Sequence, residues 1–170
     1  MWNVEYEPDL ASIRCYIDSM LLDSRIVPQA IVKPGSFVAL MALYESNYLR
    51  LLRLIPELER LDGCFSSRVA GDCELYVEFI EHSRYTVTLS LTYRFETDDG
   101  VLADPDMTIR AYLDGQQAEV MGIGNWRRHA ELRRLVLEHQ RELDIRWRRN
   151  VILNKWLEYL SDQGHLLLER

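Results

Sequence analysis

One stretch decides the fold, and it reads Tyr85-Thr86-Val87-Thr88-Leu89-Ser90-Leu91-Thr92-Tyr93-Arg94-Phe95. Large apolar side chains alternate strictly with hydroxyl groups and one arginine along it. Because successive side chains of a β-strand point to opposite faces, the pattern predicts a strand with one apolar face and one polar face. The apolar face has to be covered, whereas the polar face can meet water or a partner. We therefore expect an antiparallel sheet that is buried on one side only.

The segments on either side of this strand continue the sheet. Further strands are predicted over residues 66–70, 74–81, 107–113 and 117–121. Residues 82–84 join two strands closely, Asp114-Gly115 is typical of a type I′ hairpin turn, and residues 97–106 are predicted to hold a polar loop. Because short turns between sequential strands favour antiparallel pairing, we expect a meander of four or five strands.

Helices are predicted before and after the meander. An apolar stripe over residues 36–55 follows Ser36, which is a favoured N-cap residue. Two more helices are indicated over residues 127–143 and 149–163, and Gly164 suits the C′ position of the last one. The sequence thus predicts an α+β fold, with an antiparallel four- to five-stranded meander and N- and C-terminal helices packed on one face.

Residues 1–35 are predicted to form an N-terminal extension of a single α+β domain over residues 36–170. Apolar residues recur at helical spacing over residues 8–23 and predict an amphipathic helix there, and the prolines Pro28 and Pro34 indicate an extended connector after it. A homodimer arm, a lid over the core and an extra helix beside it are three roles that this pattern leaves open.

Composition excludes several classes of protein. The 170 residues, 48% of them hydrophobic, can build the core of one ordinary domain. A formal charge of −7 opposes non-specific binding to nucleic acid or to an anionic membrane. No apolar run approaches the roughly 18 residues of a membrane span, and the first residues are acidic where a secretory signal would be basic. The three cysteines and four histidines lack metal-ligand spacing. We therefore expect a cytoplasmic protein without a metal or other cofactor.

Four local strings resemble the bacterial YqiB-like family. They are Leu43-Tyr44-Glu45-Ser46-Asn47-Tyr48 running to Leu54-Ile55-Pro56; Ser83-Arg84-Tyr85-Thr86; Met107-Thr108-Ile109-Arg110-Ala111-Tyr112 with Asp114 and Ala118-Glu119-Val120; and Trp156-Leu157-Glu158-Tyr159-Leu160 before Gly164-His165. The resemblance covers roughly residues 36–166. The family is a domain of unknown function, so the resemblance implies a bacterial cytoplasmic protein and assigns no chemistry.

Arginines on the predicted strands are candidate binding residues. Arg84, Arg94 and Arg110 lie in or beside strands, and Arg94 and Arg110 share the polar face with Tyr112 and Glu119. A guanidinium group suits an anion or carboxylate site because it presents a planar fork of donors. The alternative is cross-strand pairing of arginine with glutamate on a solvated face.

A second candidate is the arginine-rich segment over residues 126–149. It carries eight arginines against four acidic residues, and the binding candidates in it are Arg133, Arg134, Arg148 and Arg149. The segment is either a solvated helix with charge pairs at i, i+3, a surface for an acidic protein partner, or a grip on RNA through phosphate contacts and stacking.

No catalytic signature stands out. No G-x-S-x-G elbow occurs, and Gly122-Ile123-Gly124-Asn125 lacks the remaining residues of a phosphate loop, so it is predicted to be a plain turn. The sequence therefore favours a non-enzymatic cytoplasmic interaction module with an unidentified protein partner. The alternatives are RNA binding through the arginine-rich segment, and a small-ligand-binding domain or enzyme with an anion site near Arg84 and Arg110.

Overall fold

The computed structural model of the chain describes residues 35–97, 100–124 and 142–168. Within these residues two helices flank six strands. The elements are α1 (Phe37–Leu54), β1 (Cys64–Ser67), β2 (Leu75–His82), β3 (Thr86–Thr97), β4 (Gly100–Ala103), β5 (Asp106–Tyr112), β6 (Gln117–Gly124) and α2 (Glu142–Gln163). The predicted α+β class, the antiparallel meander and the flanking helices are confirmed. The helices predicted over residues 8–23 and 127–143 lie outside the described residues, except for residues 142–143.

All strand pairs are antiparallel, and the main sheet has the order β1-β2-β3-β5-β6. Strands β4 and β5 pair with the same side of β3. β5 pairs with residues 86–91 of β3, and β4 pairs with residues 94–97. Arg94 lies opposite Ala103 and Leu91 lies opposite Met107, so residues 104–106 face only two residues of β3. β4 and β5 are thus one strand interrupted by a bulge, which contains the cis Asp104–Pro105 bond.

The core lies between the sheet and the two helices. Alternate residues of β3 are almost fully buried on one face, as the sequence predicts, and Trp156 of α2 packs edge-on against Tyr93 among them at 5.6 Å between ring centroids. A second, smaller cluster joins the beginning of α1 to α2 through Leu40, Tyr44 and Trp147. The helices therefore cover the apolar face of the sheet, and side chains of both helices also reach the polar face at the β6 edge.

The helix ends follow the predicted capping chemistry. The Ser36 hydroxyl accepts a hydrogen bond from the Ala39 amide at 3.2 Å, which satisfies one of the free donors of the first turn. Gly164 has a φ of +89° directly after α2, and the next amide, that of His165, donates to the Leu160 carbonyl. The chain is thus turned back toward the sheet at Gly164.

The structure corrects several predicted details in the turns. The predicted loop over residues 97–106 contains β4, because the end of β3 needs a partner strand. The β5–β6 turn spans four residues, since Tyr112 pairs with Gln117, and its positive φ of +50° falls at Gln116 rather than in Asp114-Gly115. The predicted type I′ turn is therefore wrong. Tyr85 is half exposed and precedes the strand.

Three element bounds also differ from the predictions. The first strand runs from residue 64 to 67 rather than from 66 to 70. The predicted turn at residues 122–125 is wrong for residues 122–124, which extend β6 and pair with the beginning of β5. The last helix already includes Glu142, the first described residue after position 124, whereas the prediction started this helix at residue 149.

Among the described residues, asparagine side chains rather than another strand contact the free edge of β6. The Asn150 side-chain oxygen of α2 accepts from the Val120 amide at 3.1 Å, and the Asn47 amide group of α1 donates to the Ala118 carbonyl at 3.5 Å. The two asparagines also bond to each other at 3.1 Å, and neither has any exposed surface. Because an open edge presents unpaired backbone groups, these contacts fix both helices along β6.

Candidate functional site

The polar side of the sheet, called the outer face here, is defined by the strand registers. Its charged members are the five carboxylates Glu78, Glu81, Glu96, Asp106 and Glu119 and the two guanidiniums Arg94 and Arg110. Hydroxyl groups of β3 and β5 run between them. Of the charged members, Glu78, Glu81, Arg94 and Glu96 are exposed. The outer face therefore carries more negative than positive charge.

Side chains from three elements meet at Glu119, and we call this group the Glu119 site. The Tyr44 hydroxyl of α1 and the Tyr112 hydroxyl of β5 each donate to a Glu119 oxygen at 2.8 Å. Arg146 of α2 approaches the oxygen that Tyr44 also contacts, at 3.3 Å. Glu119 itself is only 7% exposed. The site thus holds a nearly buried carboxylate between two phenols and one guanidinium.

The electrostatics keep both phenols protonated. Burial, followed by the hydrogen bond to Glu119 and its negative charge, raises the pKa of Tyr44 to about 12. Burial and the same carboxylate also raise the pKa of Tyr112. Both hydroxyls are therefore hydrogen-bond donors throughout the physiological range. Hydrogen bonds to Glu142 and then to Tyr44 raise the pKa of Arg146, which stays charged.

The structure places three of the predicted residues together and two apart. Arg110 lies opposite Glu119 in the β5–β6 register and beside Tyr112 on the same face, as predicted. Its guanidinium donates to the Thr88 hydroxyl at 3.1 Å and reaches Glu81 at 3.5 Å, which is the cross-strand pairing alternative. Arg94 stacks over the Tyr76 ring at 4.5 Å, and Arg84 stacks over Tyr85 at the β2–β3 turn at 5.0 Å.

The arginine-rich segment is described only in part. Arg133 and Arg134 lie outside the described residues. Arg148 and Arg149 are partly buried on α2, in the helical layer. Their predicted role in partner binding stays a prediction.

Sequence reasoning missed a second polar cluster, which is buried. His165, directly after α2, contacts the Ser67 hydroxyl of β1 at 3.0 Å through Nδ1 and the Asp72 carboxylate at 3.0 Å through Nε2. The hydroxyls of Tyr93 and Tyr159 and the Cys73 amide also donate to Asp72. No sequence spacing announces this cluster, because its members come from three separate segments.

Burial alone would raise the pKa of Asp72, but hydrogen bonds, with that from His165 the largest, outweigh it and lower the pKa below the ordinary value. Asp72 is therefore a carboxylate that only accepts, so the His165 Nε2 carries a proton and, in the neutral ring, Nδ1 accepts from Ser67. The order serine, histidine, aspartate resembles a hydrolytic triad. However, the Asp72 carboxylate accepts four hydrogen bonds, and the Ser67 hydroxyl also accepts one from the Leu166 amide at 3.4 Å. These contacts hold the segment after α2 against β1, and we call this group of hydrogen bonds around Asp72 the clasp.

Within the described residues, no three histidine, cysteine, aspartate or glutamate side chains lie close enough together to hold a metal ion. None of the helices there combines the length and the apolar character needed to cross a membrane.

Only two of the four residues of the Glu119 site could be assigned to the polar face from the sequence pattern. Tyr112 and Glu119 follow from strand alternation, whereas Tyr44 sits in the apolar stripe of α1 and Arg146 among many arginines. Three of the four lie in or next to strings that carry the family resemblance. The asparagines behind the site leave a weak signal, since Asn47 and Asn150 are polar residues at apolar positions of amphipathic helices.

These features define a two-layer α+β protein with a carboxylate site at the edge of a partly exposed polar sheet face. The chain belongs to a protein family of unknown function (DUF1249), whose model matches residues 50–166. That match confirms kinship with a family of unknown function. Comparison with curated proteins and with solved structures finds no significant match.

Proposed function

We propose that the protein is a non-enzymatic interaction module that holds a protein partner on the outer face of its sheet. The observation that carries this proposal is an outer face with exposed charges and arginine–tyrosine stacking, on the side away from the two helices. Arg94 lies over Tyr76 and has no acidic partner among the described residues. Protein interfaces are enriched in arginine, tyrosine and methionine, and stacking holds the guanidinium in place before a partner arrives.

Apolar side chains at two bulges add to this surface. The register of β2 shifts at Ile80, and that of β6 shifts at Met121, so each is an extra residue in its strand. Ile80 is 55% exposed and Met121 is 44% exposed. Bulges redirect side chains and interrupt strand pairing. Exposed apolar groups beside charged ones form the mixed surface that a protein partner can bury.

The cellular setting of this module is part of the proposal. The resemblance to bacterial YqiB-like proteins and the lack of a disulfide pattern among the three cysteines support a bacterial cytoplasmic protein. Residues 1–35 then act either within the chain or as an arm that joins two copies. Measuring the mass of the protein in solution before and after their removal separates these roles, since only a dimer arm changes the oligomeric state.

Site-specific photo-cross-linking tests the binding surface. A photo-reactive amino acid placed at Glu78 on the outer face is expected to label one defined protein in a native extract, and the same group at Arg53 on α1 is the control. Both positions are exposed. A Glu96→Lys variant, also on the outer face, should reduce the product because it reverses a charge. Equal labelling from Arg53, or labelling of RNA instead of protein, would reject the proposal.

A further inference from the structure

We propose that the Glu119 site receives an arginine or lysine side chain of the partner protein, in the position that Arg146 of the same chain occupies in the structure. This inference rests on the proposed function and names the chemistry of its anchor. In the structure, Arg146 of the same chain then takes the place of the partner's basic side chain at Glu119.

A carboxylate as buried as Glu119 requires a positive charge beside it. Tyr44 and Tyr112 supply two neutral donors at 2.8 Å, which orient the carboxylate without neutralising it. An unpaired buried charge is costly, so a cation has to complete the site. The two hydroxyls come from α1 and β5, and each binds one oxygen of Glu119. The carboxylate is therefore held in place whichever cation binds to it.

Arg146 is suited to be displaced. It is 47% exposed, and its distance to Glu119 is 3.3 Å, whereas its distance to Glu142 on the same helix is 2.7 Å. When another guanidinium or ammonium group takes the Glu119 contact, Arg146 keeps its pair with Glu142. The exchange therefore leaves no charge without a partner. A site that its own chain occupies binds an external cation with reduced apparent affinity.

The surroundings favour a basic partner. Five carboxylates and two guanidiniums form the charged part of the outer face, and Arg110 already contacts Glu81 and Thr88. The chain as a whole carries a formal charge of −7. Charge complementarity then speeds the encounter with a basic surface and opposes an acidic one.

The probe for this inference is Nα-acetyl-L-argininamide, and its neutral isostere Nα-acetyl-L-citrullinamide is the matched control. Binding is followed by NMR through the backbone amide signals of Tyr112 and Glu119. We expect millimolar binding to the wild type and binding tighter by roughly threefold or more in Arg146→Ala, because the competing group is gone. The citrulline probe should leave the signals unchanged, and Glu119→Gln should lose the binding.

A matched control variant is Arg50→Ala. Arg50 pairs with Glu158 at 3.0 Å across the two helices, so its removal also deletes an arginine ion pair but leaves the Glu119 site intact. It should bind the probe as the wild type does. Equal affinity of the wild type and Arg146→Ala, or signal changes away from the Glu119 site, would overturn the inference. If Glu119→Gln fails to fold, the probe affinities of Arg146→Ala and Arg50→Ala are sufficient to test the inference.

The two proposals fail in different ways. A partner that cross-links from the outer face with unchanged yield in Arg146→Ala and Glu119→Gln overturns the cation site and leaves the interaction surface standing. A protein that binds the arginine probe as expected but cross-links no partner overturns the interaction module.

Discussion

Replacing Asn150 by leucine tests the idea that side chains close the edge of β6. Its oxygen accepts from the Val120 amide and from the Asn47 amide group, both at 3.1 Å, and its own amide group donates to the Arg146 carbonyl at 2.8 Å. Leucine has a similar volume and can make none of these bonds. The substitution therefore removes polar contacts without leaving a large cavity.

The magnitude follows from the groups left behind. The Val120 amide loses its partner in a fully buried environment, and Asn47 keeps only contacts of 3.4–3.5 Å through its amide group. A buried donor without a partner costs about 1–3 kcal/mol, so two such losses predict a decrease of about 3 kcal/mol in the free energy of unfolding. For a chain of this length the melting temperature should fall by roughly 6–12 °C.

Urea unfolding followed by tryptophan fluorescence measures this change, because Trp147 and Trp156 are buried in the same helix as Asn150. Gln163→Leu, an exposed position at the end of the same helix, is the control and should change stability by less than about 0.5 kcal/mol. In the double variant Asn47→Leu/Asn150→Leu the Asn47 amide is gone as well, so the cost should be smaller than the sum of the two single costs by about 1 kcal/mol. A loss below about 1 kcal/mol in Asn150→Leu, or additive costs, would refute the edge closure.

Two further predictions concern the end of the chain and its clasp. Because the pKa of Asp72 is lowered in the folded state, its contribution to stability is present above the unfolded pKa of about 3.9 and is lost as the pH falls through the folded value. Unfolding measured from pH 7 to pH 2.5 should thus show a weaker pH dependence in Asp72→Asn than in the wild type, and a similar slope in both would contradict the clasp. Gly164→Ala should cost about 1 kcal/mol from its φ of +89° alone, since no atom lies within 4 Å of an added Cβ, whereas Gly122→Ala, with equal space and no positive φ, should be nearly neutral in thermal unfolding.

The sheet could be predicted because its pattern is local. The alternation of apolar and polar residues in β3 predicts one apolar and one polar face of the sheet. The strand registers put Arg110, Tyr112 and Glu119 on the polar face, as expected. The four-residue turn before Gln117 could not be derived, because Asp114-Gly115 suits several turn types and the register of the whole hairpin decides among them.

The sites were less predictable because their members are distant in sequence. The Tyr44 and Glu119 side chains meet across 75 residues, and His165 meets Ser67 across 98. Such contacts depend on how α1 and α2 pack against the sheet, which periodicity does not specify. The polar residues within apolar helix stripes, Asn47 and Asn150, are the part of this packing that a sequence does display, since a polar group at a core position needs a buried partner.

The edge closure and the proposed cation site share one residue. Asn150 holds the Val120 amide next to Glu119 through its oxygen and the Arg146 carbonyl through its amide group. It therefore fixes the distance between the strand that carries the carboxylate and the helix that carries the guanidinium. A change at Asn150 is expected to alter stability and cation binding together, whereas Arg146→Ala removes only an exposed side chain. Wild-type probe affinity in Arg146→Ala, together with a changed affinity in the Asn150 variant, would mean that helix packing, and not competition by Arg146, controls access to Glu119.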